Sequence, residues 1–266
     1  MYASINGIRM IYDVAGAEDA FPIVLHHPLA TNLSIWDEIT PVLAARYRVI
    51  RFDARGHGQT ETPKGPYTFE TLSADVVALM DHLEIERAHY LGLSMGGMVG
   101  QYLGLDHPGR FASLQLVSTS SRIPDEARHM WVDRVTVARE KGMASQVAPA
   151  MQRWVTEANR QKPALVARLS QMIETTPLEG YAGWCQAIEK LDITDRLKAI
   201  TLPTQVIVGA DDPATPPAAA EAIHRQIPGS TLIVMPAVAH MLCAEDPVAF
   251  HQHVLAFLDK QAGAKS

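Results

Sequence analysis

Short apolar runs rich in β-branched residues alternate with longer segments of helical periodicity in the N-terminal part of the chain. Apolar runs of this length, bounded by Gly, Pro and Asp, are typical of β-strands. The sequence predicts strands at residues 7–14, 22–25, 47–52, 88–93 and 113–117. We expect the first two to form a hairpin at the edge of a sheet.

Helical periodicity separates these strands. Residues 68–83 carry apolar side chains mostly three or four positions apart, at Leu72, Val76, Leu79, Met80 and Leu83. This spacing indicates an amphipathic helix, and residues 35–45 and 95–106 are also predicted to be helical. Strands that alternate with helices favour a parallel sheet covered on both faces. The predicted fold class is therefore α/β, with a doubly wound, mostly parallel sheet.

The alternation stops in the middle of the chain, where residues 123–195 are almost wholly helical in character. Strand patterns then return at 204–208 and 231–235, and residues 247–258 form a closing amphipathic helix with Pro at its start. The C-terminal strands would have no sheet of their own. We therefore predict one core, residues 1–122 and 196–266, with 123–195 inserted as a helical cap.

Composition limits the classes of function. The chain has 266 residues, a net charge of -6 and no basic stripe, which argues against nucleic acid or anionic membranes as partners and favours a small molecule. No apolar run is long enough to span a bilayer, and the N-terminus lacks the pattern of a signal peptide. Cys185 and Cys243 suggest neither a disulfide framework nor zinc. We expect a cytoplasmic protein, and nothing in the pattern specifies an oligomeric state.

The sharpest local motif is Gly92-Leu93-Ser94-Met95-Gly96, between a predicted buried strand and a predicted helix. A strand that reverses abruptly into a helix crowds the turn, so the positions two before and two after the serine must lack side chains. The Ser94 hydroxyl would then be exposed at the tip as a nucleophile. The alternative is a tight strand-to-helix turn with Gly for close packing.

A serine nucleophile needs a histidine base and a carboxylate that orients it. Asp211 and Asp212 follow the strand at 204–208, and His240 follows the strand at 231–235. Both positions lie at the carboxyl edge of the predicted sheet, beside Ser94. Either aspartate could instead cap a turn. Six further histidines are expected at the surface: His82, His89, His107, His224, His251 and His253. The spacing of histidines in the chain supports no metal site.

Acyl chemistry also needs amide donors for the oxygen that becomes negative. The Met95 amide directly follows the nucleophile, and the second donor should come from the loop after the strand at 22–25. Pro28 has no N–H, so Leu29 is the better candidate. The rings of His26 and His27 either line the pocket or fix this loop by hydrogen bonds.

Taken together, these motifs resemble the α/β-hydrolase superfamily. The resemblance covers nearly the whole chain and rests on residues 53–58 (DARGHG), residues 92–97 (GLSMGG), Gly209-x-x-Asp212 and Ala239-His240. It implies an α/β-hydrolase fold in which Ser94, Asp212 and His240 are catalytic, Leu29 and Met95 form the oxyanion hole, and no cofactor is required. In that superfamily the segment 53–58 is a structural loop.

Within the superfamily the chain resembles the 3-oxoadipate enol-lactonases. That narrower resemblance rests on segments 28–34 (PLATNLS), 65–68 (GPYT), 92–97, 180–185 (GYAGWC) and 214–217 (ATPP). It implies hydrolysis of an ester or lactone through an acyl-enzyme. The chain departs from those enzymes at Ala30 and Asn32, where they commonly carry Gly and Asp.

Several related activities share this machinery and stay open. They are a broad carboxylesterase, a lactonase for other rings, and a perhydrolase; a hydrolase-like ligand receptor is the alternative without catalysis. Dehalogenases and epoxide hydrolases of the same superfamily would need an acid where the chain has Ser94.

The predicted cap contains candidate substrate contacts. Trp131 and Trp154 could supply an apolar wall, and Arg134 and Arg153 a cationic anchor for a carboxylate-bearing lactone. The competing interpretation is that the tryptophans are core residues and the arginines are solvated.

Overall fold

The computed structural model describes residues 1–263, apart from the side chains of the last two of these residues. An eight-stranded sheet has the order β1-β2-β4-β3-β5-β6-β7-β8. Strand β2 is antiparallel to β1 and β4, and the remaining pairs are parallel. The strands are β1 (Tyr2–Ile5), β2 (Ile8–Ala15), β3 (Pro22–His26), β4 (Arg48–Phe52), β5 (Ala88–Leu93), β6 (Phe111–Val117), β7 (Thr204–Gly209) and β8 (Thr231–Met235).

Helices connect the strands. They are α1 (Thr40–Ala44), α2 (Phe69–His82), α3 (Met95–Asp106), α4 (Asp125–Lys141), α5 (Val147–Trp154), α6 (Glu157–Arg160), α7 (Pro163–Thr175), α8 (Leu178–Glu189), α9 (Pro217–Gln226), α10 (Leu242–Glu245) and α11 (Pro247–Gly263). The predicted α/β class with a mostly parallel sheet is confirmed.

The central strands are buried on both faces because successive side chains point to opposite sides of the sheet. In β3, Val24 packs with α2 and α3 on one face, while its neighbours Ile23 and Leu25 pack with α1 and α11 on the other. A continuous apolar run is therefore compatible with a strand here.

The predicted hairpin of residues 7–14 and 22–25 is wrong. Strand β2 pairs with β1 and β4, whereas β3 pairs with β4 and β5 in parallel. The hairpin is formed by β1 and β2 around Asn6-Gly7, whose φ angles of 46° and 79° are both positive. Asn-Gly is the preferred pair for such a turn, so a local signal for the missed strand β1 was present.

The helix predicted over residues 35–45 is interrupted. A 3-10 turn covers Leu33–Trp36, and α1 begins at Thr40 with Pro41 in its first turn. Proline is compatible with a helix start but disrupts a helix interior, which explains the break. Helix α9, between β7 and β8, was not predicted from the periodicity.

Helices α4 to α8 lie between β6 and β7, and the two ends of this segment run side by side. The Ile123 amide donates to the Leu191 carbonyl at 2.9 Å, and the Ile193 amide to the Ser121 carbonyl at 2.9 Å. The division into a core (1–122 and 196–266) and an insertion (123–195) stays a prediction, and residues 264–266 of that core lie outside the described part.

Helix α8 packs closely against the loop after β4. A Cβ added to Gly180 would lie 1.8 Å from the Gly56 carbonyl oxygen, and the Trp184 indole donates to the Arg55 carbonyl at 2.7 Å. The absence of a side chain at Gly180 therefore permits this approach. None of the helices in residues 1–263 has the length and apolar character required to cross a bilayer.

Candidate active site

Ser94 lies at the turn between β5 and α3. Its backbone has φ 55° and ψ -111°, which is strained for a residue with a side chain. The turn is held by two hydrogen bonds: the Ser94 amide donates to the Val117 carbonyl at 2.8 Å, and the Thr119 hydroxyl donates to the Ser94 carbonyl at 2.7 Å. The side chain of Ser94 is half-buried and lines a cavity.

The glycines around Ser94 make this turn possible, as predicted. A Cβ on Gly92 would lie 2.3 Å from the Gly96 carbonyl oxygen, and one on Gly96 would lie 2.4 Å from the His26 carbonyl oxygen. Both distances are far below van der Waals contact. Gly96 therefore lets the start of α3 approach the loop that follows β3.

The loops after β7 and β8 bring Asp212 and His240 together. His240 Nδ1 and Asp212 Oδ2 are 2.8 Å apart, and both side chains are buried. The carboxylate also accepts from the amides of Ala214 and Thr215, at 2.8 and 3.0 Å, and from the Thr215 hydroxyl at 2.9 Å. Because the ionised carboxylate only accepts, Nδ1 carries the imidazole proton in this contact, which leaves Nε2 unprotonated in the neutral ring.

The environment keeps Asp212 ionised. Burial alone would raise the pKa of this carboxyl, but the charge of His240 and the hydrogen bonds from His240 and Thr215 hold the pKa below its usual value of 3.8. Asp211, the other candidate in the sequence, is exposed to solvent. The buried, hydrogen-bonded carboxylate next to His240 is thus Asp212.

A cavity of about 280 Å³ contains Ser94 and His240 in its wall, together with Leu29 and Thr215. In the described part of the chain no hydrogen bond joins the Ser94 hydroxyl to the His240 ring. Bonds between a nucleophile and its base are often long before substrate binds and tighten in the complex. Residues from distant parts of the sequence therefore meet at one cavity above the carboxyl ends of the strands.

The two predicted oxyanion donors lie on adjacent segments. Met95 is the first residue of α3, where amides have no partner inside the helix and the helix dipole is positive. Leu29 lines the cavity in the loop after β3. Next to it, Ala30 has φ 58° and donates its amide to His57 Nε2 at 3.0 Å. This bond fixes the loop with the Ala30 amide turned toward His57.

His26 and His27 do not line the cavity. Of the two predicted alternatives, they match the one in which their rings fix the loop after β3 by hydrogen bonds. His27 Nδ1 lies 2.8 Å from the Pro28 carbonyl, and Nε2 accepts from the Ala54 amide at 2.9 Å. Desolvation by burial lowers the pKa of His26 to about 3, and burial also lowers the pKa values of His27 and His57. Neutral rings can accept from backbone amides, whereas protonated rings cannot.

His57 was missed as a supporting residue. Segment 53–58 resembles a structural loop of the family, and no local signal in the sequence connects it with Ala30. The contact exists because β3 and β4 are parallel neighbours, so the loops at their carboxyl ends meet.

The four cap residues named from the sequence, Trp131, Arg134, Arg153 and Trp154, all line the cavity. The Arg134 guanidinium lies over the Trp131 ring, 4.3 Å from its centroid. Burial and the charge of Arg134 lower the pKa of Arg153 to about 10. Neither arginine forms an ion pair with any carboxylate in the described part of the chain. The cavity therefore has a positively charged end.

Two polar residues at this end were not predicted. Tyr181 and Gln146 line the cavity, and the Tyr181 hydroxyl donates to the Gln146 carbonyl oxygen at 3.3 Å. Burial raises the pKa of Tyr181, so its hydroxyl stays a neutral donor. A tyrosine within helical periodicity gives no signal that separates a cavity position from a core position.

Comparison with known proteins identifies the family of the chain. A family described as alpha/beta hydrolase fold matches residues 22–247. The chain is 35% identical over 254 residues to 3-oxoadipate enol-lactonase 2 of Acinetobacter baylyi, which covers 95% of this chain and 94% of that protein.

Solved structures with similar sequences have the same fold. The crystal structure of the enol-lactonase from Burkholderia xenovorans LB400 superposes with a TM-score of 0.94 at 36% identity, covering 97% of this chain and 100% of that one. A thermophilic esterase from Thermogutta terrifontis, solved with malate bound, has a TM-score of 0.93 at 29% identity, covering 98% and 99%. The predicted family is confirmed: the chain belongs to the alpha/beta hydrolases.

Proposed function

We propose that the protein is a serine hydrolase that opens a small, carboxylate-bearing lactone through an acyl-enzyme, with an enol-lactone such as 3-oxoadipate enol-lactone as the best candidate. The proposal depends chiefly on one observation. A strained serine and a histidine bonded to a buried aspartate share a cavity with two arginines that have no carboxylate partner among the described residues.

In the first step, His240 Nε2 takes the proton of Ser94, and Ser94 Oγ attacks the lactone carbonyl carbon. The carbonyl oxygen becomes negative and accepts from the amides of Leu29 and Met95. Asp212 holds the ring orientation and stabilises the imidazolium through Nδ1. No step in this sequence requires a cofactor.

The ring C–O bond then breaks, and the leaving enol oxygen takes the proton from His240. Because the substrate is a ring, this oxygen stays attached to the acyl group on Ser94. Water, deprotonated by His240, attacks the acyl carbon, and Ser94 recovers its proton as the acid is released. The enol product tautomerises to a ketone.

The charged end of the cavity supports an anionic substrate. Arg134 and Arg153 come from α4 and α5, whereas the catalytic residues come from loops of the sheet. A guanidinium that lacks a protein carboxylate favours a carboxylate of the ligand, and two of them strengthen this preference. Most of the other lining residues are apolar, and the cavity volume of about 280 Å³ suits a small molecule.

A broad carboxylesterase is the second candidate, supported by the 29% identical thermophilic esterase. It uses the same residues, so substrate comparison separates the two. We expect higher kcat/KM for a carboxylate-bearing enol-lactone than for a simple lactone or p-nitrophenyl acetate. The reverse order would favour the esterase.

Replacement of the nucleophile tests the chemistry. Ser94→Ala should lower kcat by at least about 10⁴-fold with an unchanged fold, because the acyl-enzyme can no longer form. The exposed Ser4→Ala is the matched control and should be fully active. A Ser94→Ala variant with the wild-type rate would refute the proposal. If the wild-type protein were acylated once without further turnover, the result would indicate a receptor.

A further inference from the structure

Glu245, the last residue of α10, is a buried carboxylate outside the cavity wall that accepts four hydrogen bonds. Oε1 accepts from the Ala239 amide at 2.6 Å. Oε2 accepts from the Thr156 amide at 2.7 Å, the Thr156 hydroxyl at 2.9 Å and the Asn159 side-chain amide at 2.8 Å. One oxygen therefore binds the loop of His240, and the other binds the start of α6.

His240 is bracketed by contacts to the same short segment. On its N-terminal side, the Ala239 amide reaches Thr156 through Glu245. On its C-terminal side, the Met241 amide donates directly to the Trp154 carbonyl at 2.8 Å. Both neighbours of the proposed base are thus fixed to residues 154–156, which directly follow Arg153.

Burial of a carboxylate is costly unless hydrogen bonds replace its hydration, and here only amides and a hydroxyl do so. No Lys, Arg or His side chain of the described residues forms an ion pair with Glu245. The group accepts at both oxygens at once, which a side-chain amide cannot do because its nitrogen is a donor. The arrangement is therefore specific for glutamate over glutamine.

We propose that Glu245 is a positioning residue that fixes His240 relative to the end of α5, which carries Arg153 and Trp154. This inference rests on the proposed function, since it assumes that His240 is the base and that Arg153 binds the substrate carboxylate. Glu245 aligns the anion-binding end of the cavity with its catalytic end.

The consequence depends on how much of the cavity a substrate spans. A carboxylate-bearing lactone held at Arg153 needs its carbonyl at the correct distance from Ser94 and His240, and a displacement of about 1 Å can cost about 10²-fold in rate. A small neutral ester touches only the catalytic end and can shift with it. Loss of Glu245 should therefore penalise the anionic lactone more than the ester.

The test compares Glu245→Gln with the wild-type protein on a carboxylate-bearing enol-lactone and on p-nitrophenyl acetate. We expect kcat/KM for the lactone to fall about tenfold more than kcat/KM for the ester. Glu179→Gln, which removes an exposed carboxylate on α8, is the matched control and should change neither value. Equal losses for the two substrates would overturn the inference, because a purely structural role affects both alike.

A second variant keeps the test decisive if Glu245→Gln fails to fold. Asn159→Ala removes one donor on the α6 side and leaves the carboxylate and its bond to Ala239 in place. We expect kcat/KM for the lactone to fall about threefold more than kcat/KM for the ester in this variant. Equal losses for the two substrates would again overturn the inference. A wild-type protein that turns over neither substrate would instead refute the proposed function itself.

Discussion

At the scale of single residues, Asp211 and Asp212 show what burial does to two adjacent identical side chains. Asp211 is exposed, whereas Asp212 accepts hydrogen bonds from two amides, a hydroxyl and His240. The position of the loop in the sequence is compatible with either aspartate as the partner of His240, and only the family resemblance favoured Asp212. The contact with His240 now gives that preference a physical basis.

The two aspartates form a matched pair of variants. Asp212→Asn should lower kcat by about 10³ to 10⁴-fold with little change in KM, because an amide can donate to Nδ1 and then leaves the imidazole in the wrong tautomer. Steady-state kinetics on the best lactone measure this loss. Asp211→Asn should retain wild-type kinetics; similar losses in the two variants would contradict the assignment.

At the scale of secondary structure, α4 and α5 divide their side chains between a hydrophobic core and the cavity. Helix α4 buries only Val135 and Ala138 fully, although it is 17 residues long. Its Trp131 and Arg134 face the cavity, as do Arg153 and Trp154 from α5. Helix α4 therefore contributes few fully buried side chains to the core and leaves others at the cavity.

Charge reversal tests the proposed anchor. Arg153→Glu should raise KM for the carboxylate-bearing lactone by about 10 to 100-fold, since a charge-assisted hydrogen bond is replaced by repulsion, while kinetics on a neutral ester change little. Arg139→Glu, at an exposed position of α4, is the control for added negative charge. Equal kinetics of Arg153→Glu and wild type on the lactone would exclude the anchor.

At the scale of the whole molecule, the end of β3 and the loops after β3 and β4 bring three buried histidines together. The ring centroids of His27 and His57 are 5.2 Å apart, and those of His26 and His27 are 5.7 Å apart. Desolvation lowers the pKa of each, to about 3 for His26, so all three are neutral in the folded protein near pH 7. The unfolded chain therefore binds more protons than the folded one below about pH 6.5.

Stability should consequently fall in acid. The free energy of unfolding is expected to be constant above about pH 6.5 and to decrease toward pH 3, by at most about 1.4 kcal/mol per pH unit for each histidine. Urea denaturation at a series of pH values measures the slope. His26→Leu should make the slope shallower, whereas the exposed His129→Gln should not; a flat wild-type profile from pH 7 to 4 would contradict this account.

Elements whose signals are local were predicted well. Strands β5 and β8 and helix α3 match their predicted ranges because continuous apolar runs and glycine turns encode them directly. Pairing was predicted less well: β2 was assigned to β3, although the Asn6-Gly7 turn joins it to β1. Which strands pair depends on which of them are neighbours in the folded sheet, and strands that are adjacent in the sequence are not always neighbours there.

The sequence by itself determined the α/β alternation, the strained turn at Ser94 with its glycines, and the loop positions of Asp212 and His240, because each depends on neighbouring residues and on the rule that parallel strands end at one edge. Tertiary structure decided the remainder. It buried Asp212 instead of Asp211, joined His57 to Ala30 and linked Glu245 to α6. It also placed side chains of both α4 and α5 at one cavity. Contacts between distant segments depend on how helices pack on the sheet, and no local pattern records that packing.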